Sequence, residues 1–215
     1  MAMALQSDNG EGLVGLRRHT DHIRLNSGQL LTLRFAEPGD AEAVQDYFRG
    51  LSAQSRYRRF LGAISELPRV ELDHFVHAGE FDRFSILATT ATKAGVSEII
   101  VGEARYGVEA TIGKLEFGLS VADAWQGLGV GRALLSNMEC RAAASGAEAV
   151  FGETLSSNTA MIALARKSGY RFSSLPADGR LMVFEKELAT RAMPCVSARL
   201  AAEGFAVSAL HSRAT

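Results

Sequence analysis

The chain has 215 residues, of which 47% are hydrophobic and 22% are charged. This is the composition of a folded globular protein, so disorder over the whole length is excluded. The 23 Lys and Arg residues do not exceed the 24 Asp and Glu residues, and the formal net charge is -1. Proteins that bind nucleic acid through its phosphates usually carry a basic excess, so we expect no nucleic acid among the partners.

Cysteine content and hydropathy indicate the cellular compartment of the protein. Cys140 and Cys195 are too few for a disulfide framework, and neither lies in the Cys or Cys/His spacing of a zinc site. No apolar run has the pattern of a signal peptide or approaches the ~18 residues of a membrane span. These features predict a cytoplasmic protein that binds neither a metal nor a membrane.

The first half of the chain contains a hairpin, three helices and three strands. Residues 1–20 lack periodicity and are expected to form a mobile tail. Apolar and polar residues alternate on both sides of the turn at 26–29, which predicts a hairpin. Asp40 is expected to cap the first helix. The predicted helices lie near residues 40–48, 56–61 and 68–78, and the predicted antiparallel strands lie at 84–91, 99–108 and 114–121.

The second half alternates helix and strand. A glycine-rich turn leads into a helix that ends near residues 145–146. The elements predicted after it are a strand at 149–154, a helix at 158–167 and a hairpin of strands 170–173 and 181–186. This order predicts an α+β fold. The Ala-rich residues 188–215 are expected to form a short helix or a tail.

The glycine-rich turn is the strongest motif. Gln126-Gly127-Leu128-Gly129-Val130-Gly131 lies between a predicted strand and a predicted helix. Backbone N–H groups at such a helix N-terminus form a site for phosphate. The nucleotide P-loop needs a lysine and a hydroxyl where this chain has Arg132-Ala133, and the dinucleotide fingerprint needs another glycine spacing. The turn instead matches in full the pyrophosphate loop Q/R-x-x-G-x-G/A.

With Asn158 and Ser168-Gly169-Tyr170-Arg171-Phe172 added to this loop, the sequence from Leu31 to Glu185 resembles the GNAT (GCN5-related N-acetyltransferase) superfamily. The resemblance implies a mixed, mostly antiparallel sheet of about seven strands with a splayed central pair, flanked by helices. It implies acetyl-CoA as cosubstrate and a primary amine as acceptor. The acetyltransferase domain would span residues 21–187, including the leading hairpin.

The resemblance also assigns cofactor contacts. The implied acetyl-CoA-binding residues are Leu119, Ser120, Val121, Gln126, Gly127, Leu128, Gly129, Val130, Gly131, Arg132 and Asn158. The backbone of residues 119–121 would pair with the pantetheine arm, and the N–H groups of residues 128–131 would face the pyrophosphate. Asn158 is equally well suited to cap a helix.

A general base is expected because acetyl transfer needs a neutral amine. A lysine amine has a pKa of ~10.4 and is protonated at pH 7. Glu116, three residues before Leu119, is the expected catalytic base. Glu103 and Glu153 are competing carboxylates, and Glu153 is expected to be structural. The basic cluster Arg56, Arg58 and Arg59 is expected to form a solvated helix face. In the alternative, Arg56 and Arg59 face an acidic substrate surface or the 3'-phosphate of the cofactor.

A closer resemblance concerns the acceptor. Residues 23–34, 51–60 and 102–106 are similar to the Pat-type protein-lysine acetyltransferases, whose base matches Glu116. This group lacks the tyrosine that protonates the leaving thiolate in many GNAT enzymes, and here that position is Ala165, while Tyr170 is expected to pack in the core. A protein lysine is therefore the favoured acceptor. A small-molecule amine, or a non-catalytic acyl-CoA-binding regulatory module, stays open, as does a homodimer.

Overall fold

The computed structural model describes residues 20–77, 83–92, 98–109, 114–144, 147–174 and 179–188. The strands of these residues are β1 (Asp21–Arg24), β2 (Leu30–Phe35), β3 (Arg83–Ala91), β4 (Glu98–Glu109), β5 (Lys114–Val121), β6 (Ala149–Leu155), β7 (Arg171–Ser174) and β8 (Leu181–Glu187). The helices are α1 (Ala41–Gly50), α2 (Ala53–Phe60), α3 (Arg69–Val76), α4 (Val130–Ala144) and α5 (Thr159–Lys167). Most of the predicted tails at 1–20 and 188–215 lies outside the described residues.

One sheet contains all eight strands of the described residues, in the order β1-β2-β3-β4-β5-β6-β8-β7. Every neighbouring pair is antiparallel except β5 and β6, which run parallel. The α+β class and the mixed, mostly antiparallel sheet predicted from the sequence are therefore confirmed. The sheet has one strand more than the approximate number expected.

Helices cover both faces of the sheet because its central strands are apolar on both sides. The side chains of β3 between Phe84 and Thr90 are all buried. Leu134, Leu135 and Met138 of α4 pack on one face, and residues of α1 and α3 form a second buried cluster on the other face. None of the helices described is long and apolar enough to cross a membrane.

Asp40 occupies the N-cap position of α1, but it does not cap the helix with its side chain. Its carboxylate instead accepts two hydrogen bonds of 2.7 Å from Arg34 and one of 2.8 Å from the Glu37 N–H. Burial favours the protonated acid, yet these hydrogen bonds hold the pKa of Asp40 below its usual value. The residue therefore fixes the connection between β2 and α1, and the predicted capping role is wrong.

A fully buried arginine joins the leading hairpin to the rest of the fold. The Arg141 Nε on α4 donates to Asn137 Oδ1 at 2.7 Å, and its Nη2 lies 3.0 Å from Asp21 Oδ2 on β1. Asn137 Nδ2 donates to the same Asp21 oxygen at 2.6 Å. Burial lowers the pKa of Arg141 from its usual value, although Asp21 opposes this effect. The Asp21 carboxylate is therefore a buried charge partner of this guanidinium.

We expect Asp21→Asn to lower the free energy of unfolding by about 3–5 kcal/mol, because it removes the buried carboxylate that lies 3.0 Å from the Arg141 guanidinium. Urea denaturation followed by circular dichroism measures this loss. Glu187→Gln is the matched control, since the Arg171–Glu187 pair has side chains 73% and 75% exposed and should contribute little. Equal losses in the two variants would contradict the assignment.

Candidate active site

The parallel strands β5 and β6 pair over two residues and then separate. Leu115 pairs with Val150 and Glu116 with Phe151. Immediately afterwards, the position of a Cβ on Gly152 would lie 2.9 Å from the Phe117 carbonyl oxygen and 2.8 Å from Phe184 Cζ. Only glycine permits this contact, so the strands touch at Gly152 and diverge beyond it. The splayed central pair expected from the sequence is present.

The separation opens a cleft of about 760 Å³, a size within the range of ligand-binding sites. Its lining includes residues 117–121 of β5, the glycine-rich turn, residues 153–154 of β6 and one side of α5. All the expected acetyl-CoA-binding residues line the cleft except Val130, whose side chain is buried in the core. Asn26, Ser27, Ser55 and Arg58, which were not among the expected site residues, also line it.

The glycine-rich turn presents backbone donors to this cleft. Gly127 and Gly129 have φ angles of 75° and 98°, which L side chains rarely adopt. The first backbone hydrogen bond of α4 runs from the Ala133 N–H to the Gly129 carbonyl. Among the described residues, the N–H groups of 128–132 have no backbone acceptor. Several donors at one helix N-terminus therefore face an anion site.

Helix α2 holds this turn in place. Asp123 accepts hydrogen bonds from the Ser52 N–H at 2.9 Å and from the Ser52 and Ser55 hydroxyls at 2.8 Å. Burial opposes ionisation, yet these bonds keep the pKa of Asp123 below its usual value. The Gln126 Nε2 donates to the Val121 carbonyl at 3.1 Å and to Ser55 Oγ at 3.3 Å. The Gln126 amide nitrogen therefore braces the turn.

Asn158 has the capping role that the sequence allowed. Its Oδ1 accepts from the Met161 N–H at 3.4 Å, and its Nδ2 donates to Thr154 Oγ1 at 3.0 Å. The residue thereby links β6 to the first turn of α5. Because Asn158 and Thr154 both line the cleft, the cap also shapes the wall of the site.

A buried polar network lies on the face of β5 that α2 covers. Glu103 on β4 is 0% exposed, and its Oε1 accepts from Arg59 Nε at 2.7 Å and from Ser120 Oγ at 2.6 Å. Ser120 Oγ lies 2.9 Å from the Tyr47 hydroxyl. Burial, assisted by the Glu103 charge, raises the pKa of Tyr47. Glu103 is thus a buried carboxylate whose charge is neutralised by Arg59.

The basic cluster on α2 does not form the expected solvated face. Arg59 is largely buried beside Glu103. Burial disfavours its charge, but the Glu103 carboxylate raises the pKa of Arg59. Arg56 donates to the carbonyls of Arg49, Leu51 and Ile64 and so closes the C-terminal end of α1. Arg58 lines the cleft.

Phe117 and Gly118 line the end of the cleft where β5 and β6 part, which we call the narrow end. Glu116, the residue before Phe117, is exposed and occupies the last β5 position that pairs with β6. Strand alternation places it on the same face as Gly118, where a Cβ would lie 2.6 Å from Arg59 Nη1. Glu116 is not among the residues that line the cleft, whereas Glu153 is.

Ala165, which stands where the expected tyrosine is absent, and Tyr170 are both buried. Ala165 is 0% exposed and contributes no proton donor. The ring of Tyr170 packs 5.8 Å from Phe117 and 5.5 Å from Phe184, which confirms its predicted place in the core. Among the described residues, no group of three His, Cys, Asp or Glu side chains is arranged to hold a metal ion.

The glycine-rich turn and the splayed strand pair lie within a region of the chain that matches a known protein family. The sequence model of the Acetyltransferase (GNAT) family matches residues 57–170. This chain belongs to the GNAT acetyltransferase family. The sequence-based assignment is therefore confirmed.

Similar proteins support this membership. Acetyltransferase PA5475 of Pseudomonas aeruginosa is 25% identical over 159 residues, which are 74% of this chain and 84% of that protein. The GNAT domain of S. lividans PAT is 25% identical with a TM-score of 0.70, over 79% of this chain and 97% of that one. The yncA structure from Salmonella typhimurium, which contains its cofactor acetyl-CoA, has a TM-score of 0.60 and 20% identity, over 77% of this chain and 98% of that one.

As a GNAT acetyltransferase, this chain uses acetyl-CoA as its acetyl donor and an amine as acceptor. Its cleft fits the donor on structural grounds. The N–H groups of the turn suit phosphate oxygens, and beyond Gly118 the β6-side edge of β5 is open to backbone pairing with the amides of pantetheine. The cationic side chains of Arg58, Arg132 and Lys167 also line the cleft and oppose the phosphate charge.

We expect Gly129→Val and Gly131→Val to weaken acetyl-CoA binding by at least about tenfold, the equivalent of one lost charge-assisted hydrogen bond. Valine at 129 strains a backbone with φ of 98°, and a Cβ at 131 would lie 3.3 Å from Leu164 Cδ2. Isothermal titration calorimetry measures the affinity. Gly39→Val is the control, because a Cβ at Gly39 meets no atom within 4 Å. Unchanged affinity in both variants would disprove the role of the turn.

Proposed function

We propose that this enzyme transfers the acetyl group of acetyl-CoA to the side-chain amine of a protein lysine by direct attack, with Glu116 as general base. The observation that carries the proposal is the position of Glu116 where β5 and β6 stop pairing, next to the narrow end of the cleft. The similarity of residues 23–34, 51–60 and 102–106 to Pat-type protein-lysine acetyltransferases supports the choice of acceptor.

Acetyl-CoA is proposed to bind with its phosphates at the turn and its thioester at the narrow end. The backbone N–H groups of 128–131 would hold the pyrophosphate, with Arg132 and Gln126 beside it. From Val121 to Phe117 the strand spans about 13 Å at ~3.3 Å per residue, so a pantetheine arm paired with residues 119–121 would bring the thioester towards Gly118. Asn158 would border the arm from the opposite wall.

The proposed chemistry uses Glu116 to make the amine nucleophilic. The amine nitrogen forms a bond to the thioester carbonyl carbon, the carbon–sulfur bond breaks, and a proton passes from nitrogen to the Glu116 carboxylate directly or through water. The thiolate of CoA leaves and takes a proton from solvent, because Ala165 supplies none. Glu116 is exposed, so it can exchange its proton with solvent between turnovers.

We expect Glu116→Gln to lower kcat at pH 7 by about 10²-fold or more, because the amide cannot accept the proton. Affinity for acetyl-CoA should stay within twofold of the original, as Glu116 does not line the cleft. The deficit should narrow towards pH 10, where more of the amine is neutral without assistance. Steady-state kinetics with a lysine peptide measures both effects.

Glu148→Gln is the control for this variant, since Glu148 is an exposed carboxylate that precedes β6. Full turnover by Glu116→Gln at pH 7 would remove Glu116 from the mechanism.

The acceptor is tested with labelled acetyl-CoA. We expect the label to appear on lysine side chains of a protein mixture, in preference to polyamines, amino acids and aminoglycosides offered at equal concentration. Preferential labelling of a small amine would replace the protein-lysine assignment. If binding occurred without transfer to any amine, the chain would be an acyl-CoA-binding module instead.

A further inference from the structure

Glu153 is the only carboxylate among the described residues that line the cleft. It follows Gly152, which is fixed by its contacts with Phe117 and Phe184 at the point where β5 and β6 separate. Its position is therefore set by the same packing that forms the narrow end. The sequence favoured a structural role for Glu153, but its side chain is exposed and makes no ion pair with any described residue.

Strand alternation tells which face Glu153 occupies. Thr154, its neighbour, is buried and bonded to Asn158 on the α5 side. Glu153 must therefore lie on the opposite face, together with Phe151. Phe151 is the residue that pairs with Glu116, so Glu116 and Glu153 share one face of the sheet.

The charges near this position leave Glu153 available to a ligand. Extending the register by two residues would set Glu153 across the gap from Gly118, against which the Arg59 guanidinium packs. That guanidinium is occupied by Glu103 at 2.7 Å. Arg58, on the same helix, lines the cleft, and its side chain forms no ion pair or hydrogen bond with Glu153. Glu153 is thus a negative charge at the thioester end of a cleft whose other ionic side chains are all cationic.

We propose that Glu153 binds the ammonium form of the acceptor and selects aliphatic amines, which are cationic at neutral pH, over uncharged nucleophiles. This proposal rests on the proposed function and gives two carboxylates different roles, one in binding the acceptor and one in accepting its proton. Glu153 holds the incoming cation at the gap, and the ammonium loses one proton to solvent before the neutral amine attacks. Glu116, one step back along the same face, accepts the second proton as the carbon–nitrogen bond forms. An acceptor whose nucleophilic nitrogen is neutral, such as an arylamine, gains nothing from Glu153.

The test compares Glu153→Gln with the unsubstituted enzyme on a lysine peptide and on an arylamine of low basicity. For the lysine peptide we expect KM to rise about tenfold and kcat to change less than threefold. For the arylamine KM should stay within twofold, and Glu153→Asp should restore much of the peptide affinity. The Kd for acetyl-CoA, measured by calorimetry, should be unchanged in all variants, with Glu148→Gln as the matched control.

The alternative results separate this inference from the proposed function. An unchanged KM for the lysine peptide in Glu153→Gln would overturn the inference. The kcat of Glu116→Gln would still test whether Glu116 is the general base. A large fall in kcat with KM unchanged would also overturn it and would give Glu153 the proton-accepting role instead. A tenfold rise in KM together with full activity of Glu116→Gln would support the inference and refute the base assignment alone.

Discussion

The early end of the pairing between β5 and β6 is the constraint on which the rest of the site depends. Two paired residues hold the strands together, and Gly152 then packs against the Phe117 carbonyl and the Phe184 ring. Beyond this contact, the β6-side edge of β5 is left open to a ligand. A sheet normally satisfies such backbone groups with a neighbouring strand, so the missing partner is itself the donor-binding feature of the fold.

The polar network on the other side of β5 keeps this arrangement rigid. Glu103 is wholly buried, and a buried charge is tolerated only when its partners satisfy it. Arg59 and Ser120 provide those partners, and Tyr47 extends the network to α1. The same residues therefore attach two helices to β4 and β5. We infer that the network positions the acceptor side of the cleft without taking part in proton transfer.

In the proposed donor complex, the turn at 126–131 lets a chain of net charge -1 hold a polyanion. Its donors are backbone N–H groups, which a count of charged side chains does not register. Glycines at positive φ let these groups converge, and the ties of Asp123 and Gln126 to α2 hold the turn before a ligand arrives. Preorganisation of this kind reduces the entropy lost on binding.

The sequence by itself determined the order of helices and strands, the glycine-rich turn before α4 and the cap at Asn158. These features depend on local patterns, such as alternation, glycine spacing and capping residues, that a short window of residues contains. The cap formed by Ser52 on α2, where its Oγ accepts from the Ser55 N–H at 3.2 Å, could have been read in the same way. The hydrogen bond between Ser52 and Asp123 could not be predicted in this way, because 71 positions separate the two residues.

Only the tertiary structure decided the roles of the charged residues. Whether Arg59 faces solvent or Glu103 depends on how α2 packs against β4, 44 positions away. Which glutamate lines the cleft depends on where β5 and β6 separate, and that point is set by the contact of Gly152 with Phe117 and Phe184. Local sequence patterns record the type of each element, whereas the place where two distant strands part is a property of their packing.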